Sequence, residues 1–216
     1  GTDAATAHAL RRTLVGDVDR FPEDVAELLG YFREPEPGQR VRAFPGAGAA
    51  VEVWILGSSL FGAELAGVLG LPFAFASHFA PALLMEAIDV YRRGFRPSDH
   101  LDRSRLMLGV NTVCAGTDDE AELLLTSLQQ AFVNLRSGQP SRLPPPVPGY
   151  AQRLAPHHAA MLDGILACAA VGAPDTVRAR LEELVARTGA DELILTSQIH
   201  DHRARLRSYE IVAGLS

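Results

Sequence analysis

A strand–turn–helix unit constrains the fold of this chain more than any other stretch. Residues 51–56 are mostly apolar and rich in β-branched types, so they predict a strand. Gly57, Ser58 and Ser59 follow as a tight turn, and the helix after them carries no charge before Glu64. The N–H groups at the start of such a helix are unpaired and suit a phosphate. An ordinary capped helix after a buried strand has the same pattern, and spacing alone leaves both interpretations open.

Strands and helices alternate along the rest of the chain. Four apolar segments predict buried strands, at residues 51–56, 73–77, 106–115 and 192–196. The predicted helices cover residues 6–20, 23–32, 60–70, a segment from Pro81, then 117–136, 158–168, 174–187 and 201–212. Strands that are apolar on both faces and alternate with helices predict an α/β fold with a parallel sheet. Four strands cannot close an eight-stranded barrel, so the sheet is either small and open or part of something larger.

Two features outside the strands each have two interpretations. Residues 137–150 contain five prolines and two glycines, which indicates a surface loop or a lid. Near the last strand, a group of polar side chains resembles a metal cluster: Gln198, His200, Asp201 and His202. We interpret Asp201 as the cap of the last helix and predict no metal site. That helix is predicted to turn residues Leu206, Tyr209 and Val212 inward.

Charge and composition exclude several classes of partner. The net charge of −6 argues against binding to nucleic acid or to an anionic membrane surface, because both require clustered Lys and Arg. No apolar run approaches the length that spans a bilayer. Cys114 and Cys168 have no metal-type spacing and are predicted to be reduced core residues of a cytoplasmic protein.

Five segments, taken in order, resemble the luciferase-like flavin-dependent monooxygenase family, whose members are (β/α)8 barrels. The segments are residues 53–59, 71–79, 127–132, 189–194 and 199–209. The resemblance implies that residues 1–216 form the C-terminal half of a TIM-type barrel, strands five to eight, and that the N-terminal half is absent from the sequence. A natural half-barrel is the alternative, and it would have to pair its open strand edges with another copy.

The resemblance also implies a chemistry and a site. Reduced FMN, supplied by a separate flavin reductase, would react with O2 and oxidise a small organic substrate. Gly57, Ser58 and Ser59 match the family's phosphate site. Ser77 and His78 end the next strand and are expected at the cofactor, where His78 would hydrogen-bond the flavin or a substrate oxygen. The alternative for His78 is a buried histidine that bonds to the backbone.

Two other functions are compatible with the same residues. One is a non-catalytic flavin-binding protein of related fold, and the other is a deazaflavin-dependent oxidoreductase that transfers hydride. The resemblance further implies a cytoplasmic homodimer, whereas the substrate is not encoded in any pattern that we identify.

Overall fold

The computed structural model describes residues 20–215. The chain divides into two compact units, Gly1–Val53 and Trp54–Ser216. In the first unit, helix α1 spans Phe21–Phe32 and agrees with the helix predicted over residues 23–32. The helix predicted over residues 6–20 lies outside the described residues, except for its last position.

In the second unit, the described residues form five strands and six α-helices. The strands are β1 (Ile55–Gly57), β2 (Phe73–Phe75), β3 (Leu106–Cys114), β4 (Ala170–Gly172) and β5 (Glu192–Thr196). The helices are α2 (Leu60–Leu69), α3 (Leu84–Gly94), α4 (Asp118–Arg136), α5 (Pro156–Ile165), α6 (Pro174–Thr188) and α7 (His202–Ala213). Single turns of 3-10 helix lie at Pro81–Leu83 and Ala151–Arg153.

All described strand pairs are parallel, which confirms the predicted mixed α/β fold with a parallel sheet. The strands follow the order β1, β2, β3, β5, and β4 pairs only with the last three residues of β3. Strands β1 and β2 are shorter than predicted. The sequence analysis missed β4 because a three-residue strand has too few positions to show a periodic pattern.

The two faces of the sheet differ in their cover. Ile55 and Phe73 are partners in the ladder and are buried, and the ring of Phe73 packs 5.4 Å from that of Tyr91 on α3. The opposite face includes Leu56 on β1 and Ile194 on β5, which are 69% and 58% exposed. The helices therefore cover one face, and the other is open at both outer strands.

The helix ends follow the predicted chemistry. Gly70 and Gly189 end α2 and α6 in the left-handed conformation, with φ of 62° and 60°. Thr117 Oγ1 accepts a hydrogen bond from Glu120 N at 3.2 Å, which confirms the predicted N-cap of α4.

The predicted inner face of α7 is wrong for Leu206 and only partly right for the other two residues. The Tyr209 hydroxyl group accepts a hydrogen bond from Ser197 N at 2.8 Å, and Val212 is half-buried. Leu206 and Tyr209 are 47% and 39% exposed, whereas Ser208 is fully buried. Ser208 Oγ accepts a hydrogen bond from Cys114 N at 2.9 Å. A small polar residue thus faces β3, and its hydroxyl group bonds to the backbone of the strand.

None of the helices within residues 20–215 is long and apolar enough to cross a membrane.

Candidate functional site

The sequence-predicted site residues meet at one edge of the sheet. Gly57 ends β1, and Ser58 and Ser59 follow it; Ser77 and His78 follow β2 after a single residue. Because the strands are parallel, their carboxyl ends lie at the same edge. Ala76 N donates to the carbonyl oxygen of Gly57 at 2.9 Å and ties the two strand ends together.

The start of α2 is open. Ser59 occupies the N-cap position with φ −135° and ψ 165°, yet its side chain does not cap the helix, and the first turn has no acidic residue. Ser58 is half-buried and Ser59 is exposed, and within the described part of the chain neither hydroxyl group forms a hydrogen bond. The free N–H groups and the helix dipole make this turn a site that favours an anion.

Two other helices that begin at this edge have capped N-termini. Three acidic residues and the Thr117 cap occupy the start of α4. Asp201 Oδ1 accepts a hydrogen bond from Ala204 N at 2.8 Å and caps α7, as predicted. Negative charge at both of these starts would repel a phosphate, so the start of α2 is the better anion site of the three.

The start of α2 lies close to the end of β1. A Cβ atom added at Gly62 would lie 3.7 Å from Gly57 Cα and 3.6 Å from the ring of Phe73. A Cβ atom added at Gly57 would also make only ordinary contacts, the nearest at 3.7 Å. The packing of the protein itself therefore does not require glycine at position 57.

Ser77 joins β2 to the central strand. Its side chain is fully buried, and its Oγ donates to the carbonyl oxygen of Gly109 at 2.6 Å. The hydroxyl proton is therefore already engaged with the scaffold. The cofactor role of Ser77 stays a prediction.

His78 lies against the same glycine. A Cβ atom added at Gly109 would lie 2.2 Å from His78 Nδ1, so only glycine leaves room for the ring. His78 Nδ1 is buried and, among the described residues, makes no hydrogen bond of good geometry. Burial lowers the pKa of the imidazole, and the backbone of Gly109 partly offsets this shift.

The sequence analysis missed Asn111 at this edge. Asn111 is 1% exposed, and its Nδ2 donates to the carbonyl oxygen of His78 at 2.6 Å. Its Oδ1 is buried without a described partner. A signal was available, because Asn111 and Thr112 are consecutive polar residues inside an otherwise apolar strand.

At the opposite edge, the polar groups pair with one another. Arg105 Nε donates to Glu192 Oε1 at 2.7 Å, and its guanidinium carbon lies 5.1 Å from the centre of the Trp54 ring. Asp191 Oδ2 accepts a hydrogen bond from Leu106 N at 2.9 Å. These contacts fix the amino ends of β3 and β5.

A cleft of about 490 Å³ within the described part of the chain contains none of the predicted site residues. It lies between α4 and the proline-rich loop of residues 137–150. Val147 N donates to Thr126 Oγ1 at 2.9 Å, and Gln130 Nε2 donates to Pro145 O at 2.9 Å. These bonds fasten the loop along α4, which favours a surface loop over a lid.

The described residues show neither a metal centre nor a reactive thiol. Within residues 20–215, no three His, Cys, Asp or Glu side chains come together as a ligand set. Cys114 and Cys168 are free and buried, and burial raises the pKa of both thiols. Buried thiols with a raised pKa are poor nucleophiles.

Comparison with known proteins identifies the family. The profile of the family described as luciferase-like monooxygenase matches residues 6–192. The chain belongs to this family. A luciferase-like monooxygenase of Escherichia coli (strain K12) is 46% identical to it over 211 residues, which are 98% of this chain. The chain spans 63% of the length of that relative.

Two solved structures share the fold of this chain. The crystal structure of apo-MsnO8 superposes on this chain with a TM-score of 0.82 at 32% sequence identity. The match covers 99% of this chain and 65% of the MsnO8 chain. The oxygenating constituent of 3,6-diketocamphane monooxygenase from Pseudomonas putida, a type II Baeyer–Villiger monooxygenase in complex with FMN, has a TM-score of 0.59 at 20% identity. The match covers 97% of this chain and 66% of that one.

Proposed function

We propose that this chain forms the C-terminal half of a (β/α)8-barrel monooxygenase that uses reduced FMN and O2 to oxidise a small organic substrate. Family membership supports a monooxygenase. The single observation that carries the FMN assignment is the open start of α2, with two free hydroxyl groups at the carboxyl edge of the sheet.

The sheet supports the half-barrel. Among the described strands, β1 pairs only with β2, and β5 pairs only with β3, so each has one open edge. Leu56 and Ile194 on these two strands are largely exposed on the face that the helices leave open. Unpaired edges and exposed apolar side chains are avoided in folded proteins, and closing the barrel with four more strands would bury both.

The residues at the carboxyl edge fit the phosphate of FMN. Ser58 Oγ, Ser59 Oγ and the N–H groups of the first turn of α2 would donate to its oxygens, and Gly57 leaves the approach unobstructed. When bound, FMN supplies the reaction with O2. The protein holds the cofactor, excludes water and orients the substrate, and Ser77 and His78 contribute next to the phosphate site.

The proposal includes the partners and the location of the protein. A flavin reductase would supply reduced FMN in a transient encounter, and the protein would work as a homodimer in the cytoplasm. Two measurements distinguish the alternative functions. Release of H2O2 or oxidised product with reduced FMN distinguishes an enzyme from a non-catalytic flavin-binding protein, and the absorbance spectrum of the bound cofactor distinguishes FMN from a deazaflavin.

The test is the double variant Ser58→Ala with Ser59→Ala in the full-length protein. We expect FMN binding to weaken by roughly 1–3 kcal/mol, the range for lost hydrogen bonds to a charged group. Flavin fluorescence titration measures the dissociation constant. Ser137→Ala, which removes an exposed hydroxyl group at the far end of α4, is the matched control. Equal FMN affinity in the double variant and the control would remove the phosphate assignment.

A further inference from the structure

Two hydrogen bonds to β3, and the space that Gly109 leaves, fix the segment that carries His78. Gly109 accepts the hydroxyl proton of Ser77 at 2.6 Å, and its missing side chain leaves room for the imidazole ring. Asn111 donates to the carbonyl oxygen of His78 at 2.6 Å. Because a carbonyl oxygen only accepts, the Asn111 atom at this distance is the amide nitrogen. The orientation of the Asn111 amide is therefore set by the chemistry of its partner.

This arrangement leaves two polar atoms unpaired in one place. His78 Nδ1 and Asn111 Oδ1 are both buried without a partner among the described residues. Asn111 is 1% exposed and pairs in the ladder with Thr196, on the same face of the sheet as Gly109 and Ile194. Unpaired buried polar atoms are rare in folded proteins, and each requires an explanation. Ligand binding at this edge is such an explanation for Asn111 Oδ1, whereas His78 Nδ1 is turned toward the backbone of Gly109.

We propose that Asn111 is a positioning residue of the flavin site, which holds His78 so that its Nε2 accepts a hydrogen bond from an N–H group of the flavin ring. The proposal rests on the proposed function. Nδ1 faces the backbone of Gly109, so Nε2 is the ring nitrogen that remains for a ligand. A proton on Nδ1 leaves Nε2 as an acceptor.

The position of Asn111 agrees with a ligand that reaches across the strand ends. Parallel strands lie about 4.8 Å apart, so two spacings put β3 about 10 Å from β1. The phosphate would bind at the β1 end beside Ser58, and the ring beside His78, which follows β2 and lies against Gly109 of β3. The contacts at Ser58 and those at His78 thus bind different parts of one ligand, and mutations can test each set independently.

The first experiment determines, without flavin, which nitrogen of the His78 ring carries the proton. In full-length protein labelled with ¹⁵N-histidine, two-bond ¹H–¹⁵N spectra report which ring nitrogen carries the proton, and His78→Phe assigns the signal. We expect one neutral tautomer, protonated on Nδ1, near neutral pH. Asn111→Ala should release the ring and give a mixture of both tautomers. Thr112→Val is the matched control, because it removes a buried, unpaired hydroxyl group from the next residue of the same strand.

The second experiment titrates the same proteins with FMN. His78→Phe should raise the dissociation constant about three- to tenfold, as expected for one lost hydrogen bond, and Asn111→Ala should raise it by a similar factor. Gly109→Ala is a second variant, which displaces the ring and leaves the Asn111 side chain unchanged. It should weaken FMN binding in the same way if Asn111→Ala folds poorly.

The outcomes separate the two claims. A His78 spectrum in Asn111→Ala that matches the unmodified protein would overturn the positioning role. Unchanged FMN affinity in His78→Phe, with normal binding by the unmodified protein, would overturn the Nε2 contact. Failure of the unmodified protein to bind FMN would overturn the proposed function and the flavin contact with it, while the spectra still decide whether Asn111 positions His78.

Discussion

The two edges of the parallel sheet differ in how their polar side chains are paired. At the amino edge, Arg105 pairs with Glu192, and Asp191 accepts from the first N–H group of β3. At the carboxyl edge, the hydroxyl groups of Ser58 and Ser59 have no described partner. The polar groups described at the amino edge are thus paired, whereas the carboxyl edge has unpaired hydroxyl groups at the start of α2.

This difference separates stability from binding. Tyr91 illustrates the closed edge: its buried hydroxyl group donates to Leu71 O at 2.9 Å and accepts from Arg105 N at 3.0 Å. His78 illustrates the open edge, since its buried Nδ1 forms no good hydrogen bond. In barrels of parallel strands, ligands bind at the carboxyl ends, and the amino ends contribute to stability. Mutations at the two edges should therefore change different measurements.

The largest effect is expected at the amino edge. Tyr91→Ala should lower the free energy of unfolding by about 3–5 kcal/mol, because a fully buried ring is lost together with its hydrogen bonds. Tyr91→Phe, which keeps the ring, should lose about 1–3 kcal/mol. Urea unfolding measures both values. The FMN affinity of the folded protein should stay within about twofold, since small shifts far from a site leave binding nearly unchanged. A large loss of FMN affinity in Tyr91→Phe would show that the two edges are coupled.

The second prediction concerns Ser59→Asp, which should stabilise the fold but weaken FMN binding. Ser59→Asp places a carboxylate at the uncapped start of α2 and should raise the free energy of unfolding by about 0.3–1 kcal/mol. The same charge should repel the FMN phosphate and weaken binding by about 1–3 kcal/mol. Thermal unfolding and a flavin titration on one preparation test both signs. Tighter FMN binding in Ser59→Asp would place the phosphate elsewhere.

The smallest effect is a pH dependence from His78. Its pKa in the folded protein lies below the ordinary 6.5, so the unfolded chain binds its proton more readily. The free energy of unfolding should therefore fall as the pH drops through 6.5 toward the lowered pKa. His78→Phe should remove this part of the pH dependence. His100→Gln, a change at an exposed histidine in a loop, should retain it, and identical profiles for the two variants would contradict the assignment.

The sequence predicts the elements of the sheet well, because strong local signals mark them. Apolar strands predict β3 and β5, a threonine cap predicts α4, and Gly70 and Gly189 predict two helix ends. Local signals fail where long-range pairing decides the structure. Residues 51–54 have strand-like composition, but the ladder with β2 starts at the pair Ile55–Phe73, so β1 begins only at Ile55.

The carboxyl edge is predictable only in part, for the same reason. Parallel strands alone bring Ser58 and His78 to one edge, so the sequence predicts that they are neighbours. The contact between His78 and Asn111 is not predictable in this way, because Asn111 lies 33 residues further along the chain. The bond that engages Ser77 spans 32 residues. No local pattern encodes either contact, although two polar residues within an apolar strand indicate where to search.

The most direct test of the account compares FMN with riboflavin, which lacks the phosphate, on the full-length protein. The open start of α2 should contribute charge-assisted hydrogen bonds to FMN alone. The account predicts that riboflavin binds at least about tenfold more weakly than FMN, which corresponds to roughly 1.4 kcal/mol. Equal affinity for the two flavins would contradict it.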